Sequence, residues 1–260
     1  MKDTETQRRR EAISQKIAKE FSVRTLKLAE EFHVSRSVIL KDLSALEKEG
    51  ILVRVRGGAI FHSTGKEAPF ALRKTEHLDI KRRLSKSLIP QIEDGTVIFL
   101  SSSTTHLHVI SMLERKKDLT IYTNSIEVVN YLRETGHTIV VIGGTYSHKE
   151  HCTYGSHVLE MIRDVHFDLS IFGMNGCAGL TGPGTNNKDF QSMGKLIMRR
   201  SSRRILVSDQ SKLDLTANYQ FGLFSDFDMV IMDALTEEHR RKYIEENQGD
   251  PKRLLEVIAL

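Results

Sequence analysis

The feature that most constrains this chain is residues 35–58, SRSVILKDLSALEKEGILVRVRGG, which read as an amphipathic helix, a short strand and a glycine turn. Ser35 is placed to cap the helix, and Ile39, Leu43 and Leu46 recur at i, i+4 and i+7, turning one apolar stripe inward. Gly50 stands where a left-handed residue would end the helix. Val53-Arg54-Val55-Arg56 then alternates with period two, and Gly57-Gly58 is expected to supply the tight turn of a hairpin. The outward helix face carries Arg36, Ser37, Leu40, Lys41 and Ser44. A polar, basic helix followed by an arginine-bearing hairpin predicts a winged helix-turn-helix. Its helix suits the DNA major groove, and its wing suits the backbone or minor groove.

The preceding residues agree. Over 6–21, Ile13, Ile17 and Phe21 fall four apart, which predicts a first helix with Arg8, Arg9 and Arg10 near its start. A short second helix is expected over 25–32, with Leu28, Ala29 and Phe32 inward and Arg24 just ahead of it. His33-Val34-Ser35 is the turn between the two helices. That turn needs positive φ, where glycine is usual and which histidine accepts better than a branched residue does. A small helical bundle with a solvated basic face is the plainer alternative, but turn, helix and wing occur here in order and at the right lengths. The candidate DNA contacts are Arg24, Ser35, Arg36, Ser37, Lys41, Ser44, Arg54, Arg56, Gly57 and Gly58.

Charge points the same way. The chain has 260 residues, which favours two domains, and a net charge of +4. Residues 1–60 hold 13 Lys and Arg against 9 Asp and Glu, so the whole excess lies on the proposed DNA-binding part. Two cysteines, Cys152 and Cys177, lack metal spacing, and no apolar run reaches membrane length. With a charged N-terminus instead of a signal peptide, a cytoplasmic protein with reduced thiols and no membrane contact is expected. The chain thus divides into 1–61, a linker over 62–76 around Phe70 and Leu72, and a larger domain over 77–260.

The larger domain alternates strand and helix. Strands are predicted over 97–100, 119–123, 138–142, 169–173, 204–208, 229–232 and 255–260. Helices are predicted over 77–89, 104–114, 126–134, 155–163, 189–201 and 236–246. That pattern is an α/β domain with a largely parallel sheet, whose ligands sit at the C-terminal strand edge. The strands are followed by Ser101-Ser102-Ser103-Thr104-Thr105, by Thr123-Asn124-Ser125, by Gly143-Gly144, by spaced Gly173, Gly176 and Gly179, and by Ser208-Asp209-Gln210-Ser211-Lys212. Hydroxyls and amides at helix starts receive anions, and Lys212 would add a charge. Each of these pieces alone is more simply a helix cap; together they favour an anionic ligand. His148, His151, Cys152 and His157 cluster without metal-ligand spacing, so no metal and no cofactor are expected. His106 and His108 lie two apart on a helix and so point different ways.

Two sets of residues carry a resemblance to a known family. Leu28, Ala29, Phe32, Val34, Ser35, Ile39, Asp42, Leu43, Leu46, Gly50, Arg54, Gly57 and Gly58 resemble the N-terminal signature of the DeoR family of transcriptional regulators. FLSSSTT, TNS, VIGG, FGMNGCAGLT and SDQSK followed by SDFD resemble that family's C-terminal sensor domain. The resemblance implies a fold similar to ribose-5-phosphate isomerase, a phosphorylated-sugar effector, and a DNA operator. It places the phosphate loop at Ser102, Ser103, Thr104 and Thr105, with Ser101, Thr123, Asn124, Gly143, Gly144, Asp209 and Lys212 around it.

The chain departs from the family at Val38 and Leu40, where threonine and arginine are usual, and at Ser101 and Ser103, which replace an aspartate and a glycine. Gly194 stands where relatives carry a lysine, with Lys195 next to it. The reading is a DNA-binding regulator, expected to repress, with no catalytic residues, assembling as a dimer or tetramer on paired half-sites of duplex DNA. Two alternatives stay open: a sugar-phosphate isomerase or deaminase with an appended DNA-binding domain, and a constitutive DNA binder whose α/β domain only oligomerises.

Overall fold

The computed structural model describes residues 2–20, 22–61, 70–74, 76–148 and 150–257, so most of the expected linker and the last three residues of the final expected strand lie outside it. The chain forms two compact units, residues 1–76 and 77–260.

The first unit runs α1 (Lys2–Glu20), β1 (Ser22–Arg24), α2 (Thr25–Glu31), α3 (Arg36–Lys48), β2 (Leu52–Val55), β3 (Gly58–Phe61) and α4 (Phe70–Arg73). Ile13 and Ile17 from α1, Leu28 from α2, and Ile39, Leu43 and Leu46 from α3 meet in one core with Val23, Ile51, Leu52 and Ala59. Burying a side chain of this size is worth about 1.5–3 kcal/mol. The β-branched Val38 and Ile39 cost α3 only roughly half a kcal/mol each in propensity, so packing decides. His33 takes φ 51°, and Val34 N–H donates to Ala29 O at 3.1 Å to close the α2–α3 turn. Gly50 takes φ 75°, ending α3 as expected.

The hairpin differs in detail. Its turn is Arg56-Gly57, with Gly57 at φ 89°, while Gly58 already belongs to β3 opposite Val55. The sheet order is β1-β3-β2. A Cβ on Gly58 would stand 2.0 Å from Val23 O, so glycine is needed there for β1 to lie against β3. Three residues without alternation gave no sign of β1.

The second unit starts with α5 (Leu78–Leu88) and continues β4 (Val97–Leu100), α6 (His106–Leu113), β5 (Thr120–Thr123), α7 (Ile126–Leu132), β6 (Thr138–Val141), β7 (Thr145–Ser147), β8 (Cys152–Tyr154), α8 (Ser156–Ile162) and β9 (Phe167–Phe172). It ends β10 (Gly184–Thr185), α9 (Lys188–Arg199), β11 (Ser201–Val207), β12 (Tyr219–Gln220), β13 (Met229–Asp233), α10 (Glu237–Arg241) and β14 (Leu254–Val257). Seven strands form one parallel sheet in the order β14-β13-β11-β9-β4-β5-β6. Right-handed crossovers put α6 and α7 on one face and α8 and α9 on the other. Consistently, α6 packs with α5 and α7, and α8 with α9. Phe99, Phe167, Phe172, Phe224 and Phe227 are buried in the core.

Two expectations shift. β11 starts at Ser201, where the helix was expected to end, because Arg200 already closes α9. The expected helix over 236–246 is α10 followed by a π turn, Lys242–Glu246. The pairs β7–β8 and β10–β12 were not foreseen: strands of two or three residues carry no periodicity.

Candidate functional site

The basic face of the first unit is built on α3. Arg36, Ser37, Leu40 and Lys41 are exposed along it, and Val38 and Ser44 are half-buried. Ser35 occupies the N-cap position, but its hydroxyl pairs with that of Ser37 at 2.8 Å and makes no bond to the helix backbone. Both hydroxyls therefore sit exposed at the positive end of the helix, where a phosphate is favoured. Arg24 is exposed at the start of α2, and Thr25 N–H donates to Gly57 O at 2.9 Å, tying the wing turn to that helix.

The wing's arginines are not equivalent. Arg54 donates from Nε to Glu47 Oε2 at 2.6 Å and from its backbone N–H to Glu47 Oε1 at 2.9 Å, which holds the Glu47 carboxyl below its usual range. Arg56 is exposed at the turn. Gly58, a candidate contact from sequence, is buried in the sheet instead. A residue that sequence reasoning left without a role is Asp42: buried on α3, it accepts from Arg9 Nε at 2.6 Å and Arg10 Nε at 2.9 Å. Two of the three arginines at 8–10 thus orient the reading helix.

In the second unit the chain winds from β4 to β5 to β6, then crosses back to β9 and winds the other way. This reversal marks the point between the C-terminal ends of β4 and β9 as the place where sheets of this kind take ligands. Residues 101–105 fold across it. Ser101 N–H donates to Ile171 O at 3.1 Å, and Gly173 N–H to Ser101 Oγ at 3.3 Å. Ser103 Oγ lies 2.9 Å from where a Cβ on Gly173 would be, so this serine requires that glycine. Thr104 and Thr105 are buried at the start of α6.

The other candidates divide by position. Thr123 and Asn124 are fully buried and act as struts. Thr123 Oγ1 donates to Leu100 O at 2.7 Å, and Asn124 joins Ser102 N–H at 3.1 Å to Thr153 O at 3.1 Å. Gly144 is a packing glycine, since a Cβ there would meet Tyr154 O at 2.5 Å; Gly143 is more open. Asp209 is buried and accepts from Ser211 Oγ, while Lys212 is half-buried after β11. From β11 to β6 are four strand spacings, roughly 19 Å, too wide for one small molecule to touch every candidate. The compact set is residues 101–105, 173–175 and 209–212, on β4, β9 and β11.

Sequence reasoning missed Gln210, Asp233 and the environment of His106. Gln210 N–H and Nε2 donate to Asp233 at 2.6 and 3.1 Å, and its Oε1 accepts from Thr236 N–H and from His239 Nδ1. Burial, with Asp209 nearby, holds the Asp233 carboxyl above its ordinary value. A glutamine next to a candidate ligand in a polar turn gives no sequence sign of which way it points. His106 is fully buried; its Nδ1 lies 2.8 Å from Ser101 O, and Nε2 faces the Phe172 backbone without a well-formed bond. Burial lowers its pKa to about 4, so the ring is neutral.

The remaining features have ordinary surroundings. Cys177 is buried and its thiol is pushed up to about 12. His148 meets the Tyr146 ring edge-on, His151 approaches Glu127 and His157 lies near Glu160. Among the described residues no three His, Cys, Asp or Glu side chains converge to hold a metal ion, and no helix is long and apolar enough to cross a membrane. A Cβ on Gly194 would meet the Phe221 ring at 3.3 Å, and Lys195 is exposed.

A winged helix-turn-helix with a basic exposed helix, carried on one chain with a doubly wound α/β unit, defines a DNA-binding transcription regulator. Family profiles agree: the DeoR-like helix-turn-helix domain matches residues 9–65 and the DeoR C terminal sensor domain matches residues 76–234. The chain belongs to the DeoR family of transcriptional regulators. It is 26% identical to the HTH-type transcriptional regulator GlpR of Haloferax volcanii, over 84% of this chain and 86% of that one. To the glycerol-3-phosphate regulon repressor of Escherichia coli it is 29% identical, over 90% of this chain and 92% of that one. Among solved structures, ribose 5-phosphate isomerase A from Methanocaldococcus jannaschii is similar with a TM-score of 0.38 at 16% identity, covering 52% of this chain and 54% of that one.

Proposed function

We propose that this regulator represses genes of sugar metabolism, and that a phosphorylated sugar held between the C-terminal ends of β4 and β9 changes its affinity for a duplex DNA operator. Residues 1–61 read the operator, 62–76 link, and 77–260 sense the ligand and carry self-association. Two-fold assembly suits paired half-sites. The observation that carries the sensing part is the hydroxyl-rich turn at residues 101–105, which opens α6 at the switch point of the sheet. The E. coli relative's name, a glycerol-3-phosphate regulon repressor, supports a phosphorylated effector and repression. The effector set is Ser101, Ser102, Ser103, Thr104, Thr105, Asp209 and Lys212, with Thr123 and Asn124 bracing it and Gly143 and Gly144 at its margin. The DNA set is Arg24, Ser35, Arg36, Ser37, Lys41, Ser44, Arg56 and Gly57, with Arg54 holding the wing on α3.

A thermal-shift screen of phosphorylated sugars tests the sensing part, because a ligand selective for the folded chain raises its midpoint. The expected result is a concentration-dependent rise for at least one such sugar that is lost in Lys212→Ala. One observation favours a second reading, a constitutive DNA binder: Ser103 sits over Gly173 and occupies space at the switch point. Under that reading no sugar phosphate shifts the midpoint and operator affinity is the same with and without each.

A further inference from the structure

Leu40 is 40% exposed on a helix face that is otherwise polar. Arg36 lies one turn before it and Ser44 one turn after, while Ser37 and Lys41 flank it, so the leucine stands at the centre of the basic face. An α-helix docked in the major groove by such a face brings its central side chain against base edges. Those edges offer hydrogen-bond donors and acceptors and, on thymine, a methyl group. A leucine pressed on a donor or acceptor would strip its water and return no hydrogen bond, which is unfavourable. Pressed on a methyl group, it removes apolar surface from water on both sides.

We infer that Leu40 reads the 5-methyl group of a thymine, at a base pair lying between those reached by Arg36 and Ser37 and those reached by Lys41 and Ser44. This rests on the reading that α3 enters the major groove, and it adds the base that the centre of the helix selects. Leu40 is therefore a specificity residue, placed among the base contacts of Arg36 and Lys41.

The test uses the full-length chain. Duplexes are first selected from a random library, and each thymine of the selected sequence is then replaced, one at a time, by deoxyuridine, which lacks only the methyl group. Affinities are compared at one fixed salt concentration. At one thymine per half-site the replacement weakens binding about four-fold, the effect of one buried carbon group. Leu40→Ala binds the thymine and uracil forms of that position equally and keeps its preferences elsewhere. A selected duplex insensitive to uracil at every position overturns this inference alone. Uracil sensitivity that persists unchanged in Leu40→Ala overturns it as well. If no duplex is preferred over random DNA, the groove reading falls and this inference with it.

Discussion

At the scale of single residues, the two ends of the DNA face differ in kind. Lys41 is exposed in the middle of α3, and under the proposed docking it meets base edges, so Lys41→Ala should relax sequence preference and cost roughly 1–3 kcal/mol on the preferred duplex. Arg56 sits on the wing turn, where phosphate is the natural partner, so Arg56→Ala should weaken all duplexes alike and lower the salt slope by about one contact. Binding isotherms at several salt concentrations separate these outcomes. His106 gives a second residue-level prediction. Its folded pKa, about 4, lies below the ordinary 6.5. The unfolded chain therefore binds the extra proton first, so the stability held by the neutral ring is complete above about pH 6.5 and is lost as pH falls towards 4. The loss should reach about 3 kcal/mol, and denaturant titrations should show a flatter pH profile in His106→Asn.

At the scale of elements, the sequence was most legible where burial imposes a period. α3 and the long strands of the sheet follow from apolar spacing, and the left-handed residues His33 before α3 and Gly50 after it follow from the turns they occupy. The strands β1, β7, β8, β10 and β12 are too short to show one. Side-chain direction was less legible than position: Thr123 and Asn124 follow a strand as a ligand site would, yet both turn inward as braces. The Asp42 pairing with Arg9 and Arg10 was also hidden, because 32 and 33 residues separate the partners. Removing that carboxylate leaves two arginines at the α1–α3 junction without their acceptor. Both keep some access to water, which softens the penalty for a broken buried pair, so Asp42→Ala should cost about 2 kcal/mol. Thermal unfolding of the first unit measures this.

At the scale of the whole molecule, the proposed function assigns sensing and reading to different units of one chain, which gives a clean separation. Lys212→Ala should abolish the response of operator binding to an active sugar phosphate and leave ligand-free operator affinity unchanged, measured by titrating the effector against a protein–duplex complex. Binding should also proceed without turnover. Isomerisation needs a base to take a carbon-bound proton, and an unactivated hydroxyl such as Ser101 is a poor one. NMR of ribose-5-phosphate and glucosamine-6-phosphate incubated with the chain should show no product, and product formation abolished by Asp209→Asn would reverse this reading. The strand order has a consequence during synthesis on the ribosome. β4 emerges early, but its inner neighbour β9 begins some 70 residues later, at Phe167. Until β9 emerges, the hydrophobic strand Val97–Leu100 is an open edge in a partial sheet of β4, β5 and β6. Chains stalled in that interval carry an exposed pairing edge, so the nascent protein is most prone to misassociation midway through its second unit.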